Sequence, residues 1–148
     1  MGGTADRKDP YRGFRFRVEI DGIQRAGFRE VSGLDTSNDS VDYRDGTDPT
    51  HVRKLSGLQK FSNLTLKRGI TDDLDLWKWR KLVMDGKIGE ARKHGSIILI
   101  DDEGNDKARW DFVEAWPTKW TGPTFNATAN EVAIDTLEIT HEGLERKS

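Results

Sequence analysis

The sequence predicts a mainly β domain, a sandwich or barrel of roughly six or seven strands with one helix. Three stretches carry that expectation. Phe14-Arg-Phe-Arg-Val-Glu-Ile20 alternates without a fault, with Phe14, Phe16, Val18 and Ile20 on one face and Arg15, Arg17 and Glu19 on the other. Ser96-Ile-Ile-Leu-Ile100 is a continuous apolar run, the pattern of a strand buried on both faces. The third is the long C-terminal stretch Pro123–Leu144, in which β-branched and aliphatic residues alternate with polar ones. There Val132 and Ile134 share one parity and Leu137 and Ile139 the other, so one flat strand cannot bury all four. A bulge or bend near Asp135 and Thr136 is therefore expected, letting this strand serve two packing surfaces and close the fold.

The remaining elements follow in chain order. Asp21-Gly22 supplies a turn, and a short segment runs through Phe28 and Val31 to Ser32-Gly33-Leu34. Residues 35–40 are all turn-formers without an apolar side chain, and read as a loop. Val41–Arg44 reads as a short strand with Val41 and Tyr43 on one side. From Asp45 to about Gln59 no period is visible, so an extended loop is expected, the first candidate for contact outside the subunit. Alternation returns from Phe61 to Arg68 through Leu64 and Leu66. Gly69 breaks it, and Thr71 or Asp72 is placed to cap a helix ending at Asp85-Gly86. Leu76, Trp79 and Val83 fall on one side of that helix and Leu74, Trp77 and Met84 nearly opposite, so it is expected to be covered on two sides. Asp101–Asp106 forms a polar hairpin loop, Ala108, Trp110 and Phe112 share a strand face, and Pro117 is expected to end that strand.

Length and composition set limits. The 148 residues fit one domain, residues 1–148, that buries roughly 70% of its unfolded surface. Residues 1–9 are expected to form a flexible arm. With no cysteine there is no disulfide, thiolate metal site or cysteine nucleophile. Charged residues are 34% of the chain, yet the net charge is only −2, which implies neither polyanion binding nor an acidic tail. No apolar run is long enough for a membrane anchor, and the N-terminus lacks a signal-peptide core. Five tryptophans and six phenylalanines supply either core filling or anchors for another subunit.

Catalytic and metal patterns fail on inspection. Gly86-Lys87 lacks the upstream glycine and the following Ser or Thr of a phosphate-binding loop. A calcium loop aligned on Gly46 would put Tyr43 and Val41 at ligand positions. His51, His94 and His141 have no ligand spacing, and no Gly-x-Ser-x-Gly elbow exists. No cofactor or enzyme is expected.

An ordered series of short segments nevertheless carries a resemblance. Asp9-Pro-Tyr and Phe14–Gly22 are followed by Phe28–Leu34, Val41–Gly46, Leu64–Gly69 with its Trp77-x-Trp helix, Ala115-Trp-Pro117, Pro123–Ile134 and His141-Glu-Gly-Leu144. In this order, over nearly the whole chain, they resemble the tail-tube proteins of contractile phage tails and of phage-tail-like extracellular contractile injection systems. The resemblance implies a tail-tube-like α+β fold, two packed antiparallel β-sheets with one flanking α-helix. It further implies a structural role: six subunits in a ring, rings stacked into a hollow inner tube, and a sheath that drives the tube through a target envelope. The implied partners are other copies of the chain, a sheath protein, baseplate or initiator and terminator proteins at the ends, and protein or DNA cargo in the lumen. Such a subunit would be made and assembled in the prokaryotic cytoplasm and end up in a phage tail or an injection particle.

A head-to-tail ring and its stacking need two interfaces. Tyr43, Arg44, Asp45, Gly46, Asp48, Pro49, His51, Arg53 and Trp77 are the candidates for them. Arg15, Arg17, Glu19, Asn63, Thr65 and Lys67 are the candidates for a lumen face. The rival reading is a monomeric β-sandwich module binding carbohydrate or protein on a Trp-rich platform.

Overall fold

The computed structural model describes residues 15–44, 46–47, 50–124 and 133–148. The expected arm at residues 1–9, Phe14, Val132, and the candidates Asp45, Asp48 and Pro49 lie outside them. Strand β1 (Arg15–Ile20) buries Val18 and Ile20 and turns Arg15 outward, as its alternation requires. A turn at Asp21-Gly22 returns the chain antiparallel as β2 (Ile23–Phe28). Arg29 then donates its backbone N–H to the Lys67 carbonyl at 3.0 Å, and the chain continues as β3 (Glu30–Ser32). β3 pairs with β6 (Leu64–Gly69), so within three residues the chain passes from the partner of β1 to a partner of β6.

The other crossing is made by the longest strand. β7 (Lys93–Ile100) lies between β1 and β8 (Asp106–Thr121). Ile97 and Ile98, which point to opposite faces of β7, are 0% and 1% exposed, confirming a strand covered on both sides. The first half of β8 pairs with β7 and β10 (Gly143–Arg146), and its second half with β9 (Ile134–Thr140). The seven-strand path β2-β1-β7-β8-β9-β6-β3 thus has its two ends joined by the chain itself, which gives two antiparallel sheets wrapped around one core.

The change of sheet falls in β8 rather than in the C-terminal strand. Val113 and Glu114 together lie against His94, and Glu114 has φ of 49°, a bulge that bends the strand. β9, where the bend was expected, keeps one register with β6 from Leu64 opposite Ile139 to Gly69 opposite Ile134. Ile134 is half-buried at the end of that sheet, on the face away from Leu137 and Ile139, so its opposite parity needs no bend. Nor does Pro117 end β8. It is buried within the strand beside a second register shift, between Pro117 and Lys119, where its missing N–H is tolerated.

The helix α1 (Asp75–Met84) begins after Leu74, without a side-chain cap from Thr71 or Asp72. Instead Asp73 Oδ1 accepts the N–H of Asp75 at 2.9 Å. It stops at Gly86, φ 80°, where the N–H groups of Gly86 and Lys87 bond back to the carbonyls of Val83 and Leu82. A single extra turn that the sequence did not announce, α2 (Ile88–Ala91), follows. Leu76 and Trp79 enter the core beside Val18, Leu64, Leu66, Phe112, Leu137 and Ile139.

The largest departure from expectation lies at residues 35–61. The loops expected at 35–40 and from Asp45 to Gln59 are largely strand: β4 (Thr36–Tyr43) pairs antiparallel with β5 (Arg53–Phe61). Its faces carry so many Ser, Thr, Asn, Asp and Lys residues that no apolar period marks it.

Candidate assembly surfaces

The β4–β5 hairpin is an outgrowth of the β3–β6 pair. β3 runs on into β4 through Gly33-Leu34-Asp35, and β5 into β6 through Ser62-Asn63. Among the described strands, β4 and β5 pair only with each other. Alternation puts Val41, Tyr43, Leu55 and Arg53 on one face, with Val41 opposite Leu55 and Tyr43 opposite Arg53. Val41, Tyr43 and Leu55 are each 49% exposed, and Leu58 is 74% exposed. Ion pairs from Lys54 to Asp42 and from Lys60 to Asp39 tie the two strands together at the surface. A lone hairpin of this kind is marginal in water. Its exposed apolar row is the material of an interface.

Several sequence candidates gather here. Tyr43 ends β4, Arg53 opens β5, and exposed Arg44, Gly46 and His51 lie between them. The imidazole Nδ1 of His51 lies 3.2 Å from Thr50 Oγ1. Val41 was read only as a strand residue beside Tyr43, and Leu55 and Leu58 were not singled out from the sequence, because polar neighbours and the register shift opposite Asn38 and Ser40 leave no visible period there.

Trp77 lies elsewhere. Two residues apart on α1, Trp79 is buried with its Nε1–H donated to the Ala91 carbonyl at 2.6 Å, while Trp77 is 41% exposed. Leu74 and Met84 are also exposed, so the two-sided pattern of the helix holds, with one side in the core and the other uncovered in the subunit. Trp77 meets Trp120 edge-on, with ring centroids 5.3 Å apart. The pair floors a groove of about 290 Å³ lined also by Ile70, Leu74, Asp73 and Asp135. Arg68 borders it from inside, 7% exposed, its guanidinium over the Phe28 ring and its Nη2 donating to the Asp73 carbonyl. Of the tryptophans that the rival reading would use as a platform, Trp110, Trp116 and Trp120 pack against the core as half-buried side chains.

The lumen candidates divide between two sheets. Arg15, Arg17 and Glu19 stand on the outer face of β1, where Arg17 bonds Glu19 at 2.7 Å and Asp106 at 3.0 Å. Beside them on the same face, Ser96 and Arg109 both bond the Asp111 carboxylate. Burial works against that carboxylate, but the two bonds hold it below the usual carboxylate range. Asn63, Thr65 and Lys67 belong to the β6 side. There Leu64 and Leu66 point inward, and the outer face continues across β9 as Thr136, Glu138 and Thr140. Asn63 bridges Glu138 and Thr140 at 3.0 and 3.1 Å, and Lys67 pairs with Glu30. Outward faces of opposed sheets point apart, so one bore can take only one of the two sets.

His141 marks the hairpin root. It is 8% exposed, its Nε2–H donates to the Ser62 carbonyl at 3.1 Å, and its ring lies 5.4 Å from Phe61. Its Nδ1 is buried without a hydrogen-bond partner. Burial pushes its pKa below the ordinary histidine value, and the carbonyls of Ser62 and Gly143 oppose that shift in part. Among the described residues no group of His, Asp and Glu is arranged to hold a metal ion.

A two-sheet barrel with a projecting hairpin and an uncovered helix face defines a subunit built for self-association. Residues 12–145 match the family of the T4-like virus tail tube protein gp19, and the chain belongs to that family, whose members are structural tube proteins. Among solved structures, the chain is similar to a subunit of the sheath-tube complex of an extracellular contractile injection system, PVC, in its extended state. The identity is 28% and the TM-score 0.79, over 95% of this chain and 93% of that one. A chain of the anti-feeding prophage tube-terminating cap is similar at 27% identity and TM-score 0.76, covering 100% of this chain and 99% of that one. Hcp1 from Flavobacterium johnsoniae, at 18% identity and TM-score 0.55 over 89% of this chain and 94% of that one, shares the fold. No curated protein sequence matches the chain.

Proposed function

We propose that this chain is the repeating subunit of the inner tube of a contractile injection machine. Six copies form a ring, rings stack into a hollow tube, and a surrounding sheath drives that tube through a target envelope. The β4–β5 hairpin carries the reading: it exposes an apolar row and has no partner strand in its own subunit among those described. The similar chains come from a sheath-tube complex and from a tube-terminating cap, which supports a sheath outside this tube and capping proteins at its ends.

The β6–β9 face lines the bore in this reading. From Asn63 to Lys67 and from Thr136 to Thr140 its outward side chains are all polar, and it belongs to the sheet from which the hairpin grows. Arg15, Arg17 and Glu19 then face outward. The bore carries protein or DNA, and assembly takes place in the prokaryotic cytoplasm before the particle is released or held at the cell. No described helix is long and apolar enough to cross a membrane.

Negative-stain electron microscopy of the purified protein over a concentration series tests this. Six-fold rings and hollow tubes are expected. Replacing residues 37–60 by a short turn should leave a folded subunit that forms no tubes, and tubes of normal length from that variant would overturn the reading.

A further inference from the structure

We propose that Arg15, Arg29 and Arg68 form a binding site for a phosphate-type oxyanion at the Gly69 end of the barrel. The site belongs to one subunit and stands whether or not rings of this chain stack.

The passage of the chain between sheets brings the three arginines together. Arg15 opens β1, Phe28 ends β2 and Gly69 ends β6, and all three residues border one cavity. The bond from the Arg29 N–H to the Lys67 carbonyl holds the residue after β2 against β6, beside Arg68. The cavity measures about 220 Å³, and its walls are the three arginines with Gly27, Phe28 and Gly69. No acidic residue is among those walls. A volume this small suits an ion better than a drug-sized ligand.

Arg68 separates this site from an ordinary charged surface. Leu64, Leu66 and Arg68 alternate inward along β6, so an arginine, 7% exposed, stands where the strand's period asks for an aliphatic residue. Its guanidinium lies 5.5 Å from the Phe28 ring centroid and donates one long bond, 3.4 Å, to the Asp73 carbonyl. A guanidinium has five N–H donors, so most of its capacity is left over. Asp73 and Asp135 share the Trp77 groove with Arg68, yet the bond goes to a carbonyl rather than to either carboxylate. Arg17, Arg92 and Arg109 each form an ion pair, whereas among the described residues Arg15, Arg29 and Arg68 form none. A buried charge without a counter-charge is costly, and an anion in the cavity would relieve that cost.

The charge and the number of donors select the anion. A carboxylate offers one negative charge and two oxygens. A phosphoryl group carries more than one charge at neutral pH and three strong acceptor oxygens, a better match for three guanidinium forks. Bound there, it would tie β1 and the start of β3 to β6, stapling the two sheets at the corner where the chain crosses between them.

Isothermal titration of the full-length protein with inorganic phosphate, at constant ionic strength in a chloride buffer, tests this. One phosphate per chain is expected, with a melting temperature that rises with phosphate but not with acetate. Arg68→Met should weaken phosphate binding by about tenfold or more. Without phosphate the same variant should be at least as stable as the unsubstituted protein, because it removes a buried charge at similar volume. Arg29→Gln, at an exposed position, should also weaken binding, and it carries the test alone if the first variant does not fold. Undiminished binding in a folded variant would overturn the proposal, and so would equal stabilisation by acetate. Adenosine monophosphate separates two sources of the same chemistry, and either result upholds the site. Binding that matches phosphate assigns it to a terminal phosphoryl group on a small molecule, and no binding assigns it to the free ion. A single-stranded oligonucleotide that binds through Arg68 while phosphate does not would overturn the proposal in favour of a polynucleotide backbone.

Discussion

A β-carbon placed on Gly33 would lie 2.0 Å from the carbonyl oxygen of Asn63, so the hairpin can leave the barrel only because residue 33 is glycine. Gly33 also has φ of 92°, which L side chains rarely adopt. Gly33→Ala should destabilise the subunit by about 3 kcal/mol, combining backbone strain with overpacking at the ribbon root. Chemical denaturation measures this. A loss below about 0.5 kcal/mol would mean that the root relaxes freely.

Trp77 and Trp79 should separate assembly from folding. Trp79→Phe removes the bond to the Ala91 carbonyl and leaves a small void, at a cost of about 2 kcal/mol in the isolated subunit. Trp77→Ala should cost the subunit less than about 1 kcal/mol and impair tube formation more. Denaturation midpoints and electron micrographs of the two variants distinguish the roles, and a reversal of the order would contradict them.

His141 should make the subunit acid-sensitive. Its pKa is depressed by burial in the folded state, so it favours the fold while it is neutral. That stability is fully present above the unfolded value of about 6.5 and is lost as pH falls from there toward the folded pKa. His141→Gln should flatten the fall in stability between about pH 7 and pH 5, measured by urea unfolding at several pH values. An unchanged slope in the variant would assign the acid sensitivity to other groups.

The two lumen candidate sets should react differently in assembled tubes. If the β6–β9 face lines the bore as proposed, Thr65→Cys should be shielded from a bulky maleimide reagent, and Arg15→Cys should label readily. Both should label in dissociated subunits. The opposite pattern in tubes would turn the wall around.

Much of the barrel was legible in the sequence. Phe16, Val18 and Ile20 alternate with charges, and Ile97-Ile98 announce a doubly covered strand, because burial of one or both faces leaves a period of two or an unbroken apolar run. Gly86 ended its helix where a left-handed residue was needed. The hairpin was not legible. Neither of its faces is buried in the subunit, so burial imposed no period on residues 36–61, and turn-forming residues there pair as strands.

The sequence by itself determined the elements whose burial is local to the fold, and the ordered motifs that mark a tube protein. Tertiary structure decided that β8 rather than β9 changes sheets, since a bulge depends on which strands lie opposite and not on the bulged residues alone. It also decided that Arg15 and Thr65 face different ways and that Trp77 rests on Trp120, forty-three positions distant. Side-chain alternation says which residues share a face. Only the packing of the sheets says where that face points.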